Sequence, residues 1–117
     1  MNEEMFKSRT KKFGLRVIRL VQALPRGRIA DAIGGQLLRA GTSVGANYRA
    51  ACRGRSAADV IAKLGIVEEE VDESAYWLEM LIDAGILPAV RATDLLKEAN
   101  EILAMTVASI RTLKART

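Results

Sequence analysis

The chain has 117 residues, half of them hydrophobic and 27% charged, with two prolines, nine glycines and 4% aromatics. That is one domain's worth of chain with enough apolar residues for a core, and a helix-leaning composition that excludes an all-β fold and a disordered polymer. Histidine is absent and Cys52 is the single cysteine, which removes Ser-His and Cys-His nucleophile pairs, internal disulfides and the ligand sets of structural zinc. The first twelve residues mix Glu3 and Glu4 with Lys7, Arg9, Lys11 and Lys12, so no secretory leader is expected. No apolar run reaches the roughly 18 residues of a membrane span. A lone thiol suits a reducing compartment, and the expectation is a cytoplasmic protein with no membrane association.

In chain order, a first helix is predicted from about Phe6 or Ser8 to Leu24, where Pro25 pushes the residue before it out of helical geometry. After Pro25-Arg26-Gly27 a second runs from about Arg28 to Arg53, with Gly54 as its C-terminal cap. Ser56 with Asp59 three residues on starts a third, ending at Asp83 or Ala84 with Gly85 beyond. Pro88 lies in the next connection. The fourth spans about Thr93 to Lys114, with Arg111 and Lys114 in the last turn, where cations suit the helix dipole. Each carries an apolar stripe at three- and four-residue spacing. The stripes are Phe6, Thr10, Phe13, Val17, Leu20 and Leu24; Ile29, Ile33, Leu37, Ala40, Val44 and Ala51; Val60, Leu64, Val67, Val71, Ala75, Leu78 and Ile82; and Leu95, Ala99, Ile102, Ile110 and Leu113. Short connections make sequential helices antiparallel neighbours. The predicted fold is therefore all-α: one domain over 1–117, an antiparallel up-down-up-down four-helix bundle.

Leu15 and Ile18 on the first helix, and Ile66, Trp77 and Met80 on the third, fall off these stripes. A small bundle has one core, so a second apolar surface implies contact between subunits, and a homo-oligomer is expected. Charge is also uneven. Residues 1–63 hold thirteen Lys or Arg against four Asp or Glu, a net of +9, whereas residues 64–117 hold five against ten, a net of −5. Arg9, Lys12, Arg16 and Arg19 form a ridge on the first helix, and Arg39, Arg49 and Arg53 another on the second. Thr42 and Ala46 between the latter are small enough to let a phosphate backbone approach. These seven are the candidate nucleic-acid contacts, acting by charge neutralisation. With no aromatics among them, base stacking is not expected. The plainer alternative is a solvated basic face, or arginines paired with glutamates of the third helix across the bundle or between subunits.

Gly34, Gly35, Gly41 and Gly45 each cost about 1 kcal/mol in a helix interior relative to alanine. Close approach of a neighbouring helix or chain is the expected compensation, since Gly41 and Gly45 are one turn apart. No Gly-Lys-Ser or Gly-Lys-Thr follows, so this is not a phosphate loop. Asn47 and Glu68 are expected to form a buried polar network that fixes register rather than a catalytic pair. The run Glu68-Glu69-Glu70-Val71-Asp72-Glu73 does not make a metal site, because consecutive helical residues point apart and the Glu-x-x-His pairs of di-iron bundles are impossible here. Cys52 is expected to be a packing residue. No catalytic residue, cofactor or metal is predicted.

The segments Ile18-Arg19-Leu20-Val21-Gln22-Ala23-Leu24-Pro25, Gly35-Gln36-Leu37-Leu38-Arg39, Thr42-Ser43-Val44-Gly45-Ala46-Asn47-Tyr48-Arg49-Ala50-Ala51, Lys63-Leu64-Gly65-Ile66-Val67-Glu68-Glu69-Glu70 and Tyr76-Trp77-Leu78-Glu79 resemble the four-helix bundle protein family, also called 23S rRNA-intervening sequence proteins. The resemblance runs from about Phe6 to Lys114, with Thr42 to Asn47 its most specific part. It implies an antiparallel bundle assembling into a ring-like homopentamer. Some members are encoded in insertions within large-subunit ribosomal RNA genes. Relatives are accessory proteins of diversity-generating retroelements, where a basic pentamer engages nucleic acid and a reverse transcriptase. The family offers no catalytic motif. Gly35 and Gly41 stand where many members carry bulkier or more polar residues.

Together these readings make the protein a non-enzymatic oligomer, with RNA or DNA, or a protein such as a reverse transcriptase, as its partners. The alternative is an assembly scaffold that binds no nucleic acid and spends its arginines on subunit salt bridges.

Overall fold

The computed structural model describes residues 2–117 and consists of four helices: α1 Glu3–Gln22, α2 Arg28–Ala51, α3 Ala57–Asp83 and α4 Ala89–Arg116. Helix α1 packs on α2, α2 on α3 and α3 on α4, while α1 meets α4 through much the sparsest seam; among the described residues the backbones of the diagonal pairs do not approach each other closely. The result is an all-α four-helix bundle, 47 Å long and 20 Å across.

The ends follow from capping chemistry. Helix α1 begins earlier than its stripe predicts because the Asn2 side chain accepts from the Met5 backbone N–H at 2.7 Å, and Glu3 and Glu4 in the first turn favour the positive helix end. At α3 the Ser56 hydroxyl accepts from the Asp59 N–H at 3.1 Å. Ser56→Ala is expected to cost about 1 kcal/mol of stability in a urea titration. Helix α3 ends in a left-handed Gly85 (φ 74°), whose N–H bonds Ile82 O while the Ile86 and Leu87 N–H groups bond Leu81 O. That wrap is open to glycine without steric cost. Helix α4 starts directly after Pro88, a full turn before the expected Thr93, because proline's fixed φ leads into a helix and needs no donor there.

Gly54 does not play the expected capping role. Helix α2 stops at Ala51 with Cys52 as its last cap in right-handed geometry. Glycine is required at 54 because a Cβ there would collide with the Val60 side chain.

The core is built from the predicted stripes: Phe6, Phe13 and Val17 of α1, Leu37 and Val44 of α2, Val67, Val71 and Leu78 of α3, and Ile102 of α4 are all essentially inaccessible. Phe6 meets Tyr48 edge-on with ring centroids 4.6 Å apart. Thr10 and Thr106 are buried in the stripe because each hydroxyl donates to the carbonyl four residues back, Phe6 O and Ile102 O. Ile29 is a correction: it is 64% exposed, lying in the first turn of α2 beyond the reach of α1, which has already ended.

The glycines of α2 hold α1 close. A Cβ on Gly41 would lie 2.7 Å from a Val17 methyl, one on Gly45 3.3 Å from the Lys11 backbone nitrogen, and one on Gly34 3.0 Å from a Leu24 methyl. The compensation expected from the sequence is therefore the α1–α2 contact. Gly35, by contrast, faces open space.

Candidate nucleic-acid interface

The close α1–α2 crossing leaves a groove on its outer side. Its floor is made of small residues, Gly14, Thr42, Gly45 and Ala46; its rim carries Lys7 and Lys11 from α1 with Arg49 and Arg53 from α2, together with one carboxylate, Glu4, and Leu15 and Ile18 also line it. Glycine at 14 and 45 is what opens the space, because side chains there would occupy the helix–helix contact. Lys7 is engaged by Glu3 and Glu4 at 3.4 and 3.6 Å, and the Glu3 contact raises its pKa. Lys11, Arg49 and Arg53 have no carboxylate within ion-pair distance among the described residues. Lys11 is a groove residue that sequence reasoning missed. It lies one position off the ridge of Arg9, Lys12, Arg16 and Arg19, and only the α1–α2 crossing point reveals that it faces Arg49.

The seven cations picked from the sequence do not form one surface. Arg9 and Arg39 are corrections. The Arg9 guanidinium spans the α1–α4 seam, donating to both Glu98 oxygens at 2.8 Å and to Glu101 Oε1 at 2.8 Å. The Glu98 bonds raise its pKa further above the ordinary arginine range. Arg39 crosses from α2 to α3, donating to Glu70 at 3.1 Å and to Glu73. Glu73 also accepts from the Trp77 indole N–H at 3.1 Å, and that bond, with the one from Arg39, holds its carboxyl below the usual range. Both arginines are neutralised by carboxylates of a neighbouring helix, Arg9 in a mostly shielded seam and Arg39 at the exposed surface. Arg39 pairs with glutamates of the third helix, as the plainer alternative had it, and Arg9 with those of the fourth. Lys12 is exposed, while Arg16 and Arg19 turn toward α4, where they line a separate cleft with Arg91.

The expected Asn47–Glu68 network is not present. The Asn47 amide donates to Ser43 O on its own helix at 2.8 Å, and both residues are half-buried at the edges of their stripes. The core face of α2 follows Val44, Tyr48 and Ala51, leaving position 47 beside it, where a backbone bond satisfies the amide. Among the apolar residues assigned to subunit contact, Leu15, Ile66 and Met80 are exposed, joined by Leu38 and Tyr76. Ile18 and Trp77 are half-buried, with Trp77 packed against the core and edge-on to Tyr76 at 5.0 Å.

Burial pushes the Cys52 thiol up, away from the thiolate that nucleophilic chemistry needs. Among the described residues no cluster of three or more metal-capable side chains is found, and no helix is long and apolar enough to cross a membrane.

A search of curated proteins found no match. The crystal structure of a protein of unknown function from the S23 ribosomal protein family of Bacteroides thetaiotaomicron VPI-5482 superposes with a TM-score of 0.88 at 32% identity, covering 95% of this chain and 99% of that one. The family model described as 23S rRNA-intervening sequence protein matches residues 4–108. With that match over most of its length and the four-helix architecture to go with it, the chain belongs to the 23S rRNA-intervening sequence protein family.

Proposed function

We infer that the protein is a non-enzymatic, oligomeric bundle that binds the nucleic-acid backbone in the α1–α2 groove, with Lys11, Arg49 and Arg53 contacting phosphates and Lys12 adding positive potential on the same helix. The observation that carries this reading is three cations, unpaired among the described residues, flanking a groove with a floor of glycine, alanine and threonine. A small-residue floor lets a phosphate chain come within reach of both rims, and each contact releases condensed counterions. With no aromatic in the groove, recognition follows charge and shape rather than base identity.

Anisotropy titrations of labelled single-stranded RNA and duplex DNA across a salt series test it. Lys11→Gln/Arg49→Gln/Arg53→Gln is expected to lower affinity at least about tenfold and to reduce the salt slope by about 3, one unit per lost phosphate contact. A flat salt dependence of the intact protein, or no binding at low ionic strength, overturns the reading.

The exposed Leu15, Leu38, Ile66 and Met80 favour self-association as well, and with it the alternative of a protein scaffold. Because Arg39 is neutralised within its own chain, charge reversal at Arg49 and Arg53 separates the two. Scaffolding predicts loss of the oligomer in light scattering. Backbone binding predicts an intact oligomer that no longer holds nucleic acid.

A further inference from the structure

At the end of the bundle where α1 stops and α4 begins, a cleft of about 370 Å³ lies between the two helices. Its floor is aliphatic: Leu87 and Leu95 are 6% and 3% exposed, and Leu20 and Ala23 complete it. Three guanidinium groups rim it, Arg16 and Arg19 from α1 and Arg91 from the first turn of α4. Among the described residues none takes part in an ion pair, although Arg16 lies near enough to Glu98 to help lower its pKa.

We propose that this cleft docks an acidic, leucine-bearing segment of a partner protein, at a site separate from the α1–α2 groove. Charge complementarity fixes the sign of the occupant, and the surroundings fix its kind. Along the α1–α4 seam the next polar groups are Glu98 and Glu101, held by Arg9. A phosphodiester chain leaving the cleft in that direction would run into two carboxylates, and in the other direction the helices end. The positive track is therefore short, which suits one or two carboxylates rather than a polymer of phosphates. The floor also favours a peptide. It has no aromatic ring on which a base could stack, whereas an aliphatic side chain entering it would remove the exposed edges of Leu20 and Ala23 from water. Arginine is among the residues enriched in protein–protein hot spots, and its planar guanidinium pairs with a carboxylate through two bonds.

The test uses the full chain and a fluorescein-labelled synthetic peptide with leucine and glutamate on one helical face. Binding to the intact protein is expected to fall at least about tenfold in Arg16→Gln/Arg19→Gln/Arg91→Gln, and by a similar factor when the peptide's leucines become serine. Oligonucleotide affinity of the same variant is expected to stay within about twofold, since its cations lie outside the α1–α2 groove. Thermal melts and circular dichroism establish that the variant is folded. The proposal is overturned if the peptide does not bind the intact protein, or if the triple variant binds it unchanged. Loss of oligonucleotide binding in that variant would assign the cleft to a polyanion, and a change in its oligomeric mass would assign it to a second copy of the chain; either result overturns the proposal. A failure of the α1–α2 groove to bind nucleic acid leaves the peptide-binding and oligomeric-mass outcomes untouched.

Discussion

Gly41→Leu is expected to destabilise the bundle by about 3 kcal/mol, lowering its melting temperature by roughly 10 °C. A Cβ at 41 would already lie 2.7, 2.8 and 3.0 Å from the two methyls and the Cβ of Val17. Val17 is completely buried and branched at Cβ, so turning its χ1 exchanges one methyl for the other and relieves nothing. Helix α1 has to back away, and with it the Gly14 and Gly45 contacts that define the groove. Gly41→Ala shows the balance of terms: helix propensity returns about 1 kcal/mol, overpacking costs about 1–3, and the net is destabilising. Gly35→Ala and Gly65→Ala have nothing within 4 Å and are expected to stabilise by about 1 kcal/mol each. Urea titrations of the four variants check the sign pattern. A Gly41→Ala protein as stable as Gly35→Ala would mean that the two helices are not this close.

The same glycines mark how far the sequence alone reaches. Four stripes, two prolines and the Ser56 start place every helix and most of the core, because those signals are local: periodicity and capping depend on neighbours within a turn or two. The stripes pass over Tyr48, Leu87 and Ala92, and mark Ile82 where Leu81 is the fully buried residue. Gly34, Gly41 and Gly45 read correctly as points of close approach, but periodicity does not say that Val17, Lys11 and Leu24 are what approaches. That information is the crossing register of two helices, and it is why Lys11 escaped notice while its neighbours on the ridge did not. The charge ridges failed for a related reason. Arg9 and Arg39 look on a helical wheel like any other outward cation. Their partners lie 89 and 31 residues or more away in sequence, at Glu98 and at Glu70 and Glu73. Asn47 misled in the opposite direction, since its i−4 carbonyl offered a local bond that made a long-range partner unnecessary.

These pairings divide the basic half of the protein by role. Arg39 ties α2 to α3 across the bundle's most extensive seam, and Arg9 ties α1 to α4 across its sparsest. Among the cations without an ion pair in the described residues, two groups line separate clefts: Lys11, Arg49 and Arg53 the α1–α2 groove, and Arg16, Arg19 and Arg91 the α1–α4 cleft. With both proposed sites occupied, one small bundle would hold a polyanion and a protein at once.

Arg9→Ala is expected to cost about 2–3 kcal/mol, the largest effect of any single charge removal, because it strips the sparse α1–α4 seam of its clamp and leaves Glu98 without a partner. Both side chains are mostly shielded, 27% and 18% exposed, so solvent screens this pair less than a surface ion pair. The Arg9 bonds hold the Glu98 carboxyl below the usual range, with a smaller contribution from Arg16. A carboxylate depressed in the folded state contributes stability that is present above its unfolded value, near pH 4.5, and is lost as pH falls through the folded value. Stability should therefore decline as pH falls below the ordinary carboxylate range, with Glu73 and Asp59, also depressed, adding to the same limb. In Glu98→Gln the neutral amide no longer titrates, so the variant starts about 2 kcal/mol lower at pH 7 and its acid limb is correspondingly shallower. Urea titrations of the two proteins at pH 7 and pH 3 measure this. If the gap between them is the same at both pH values, the clamp does not depend on the ionised carboxylate, and the α1–α4 seam is held by packing alone.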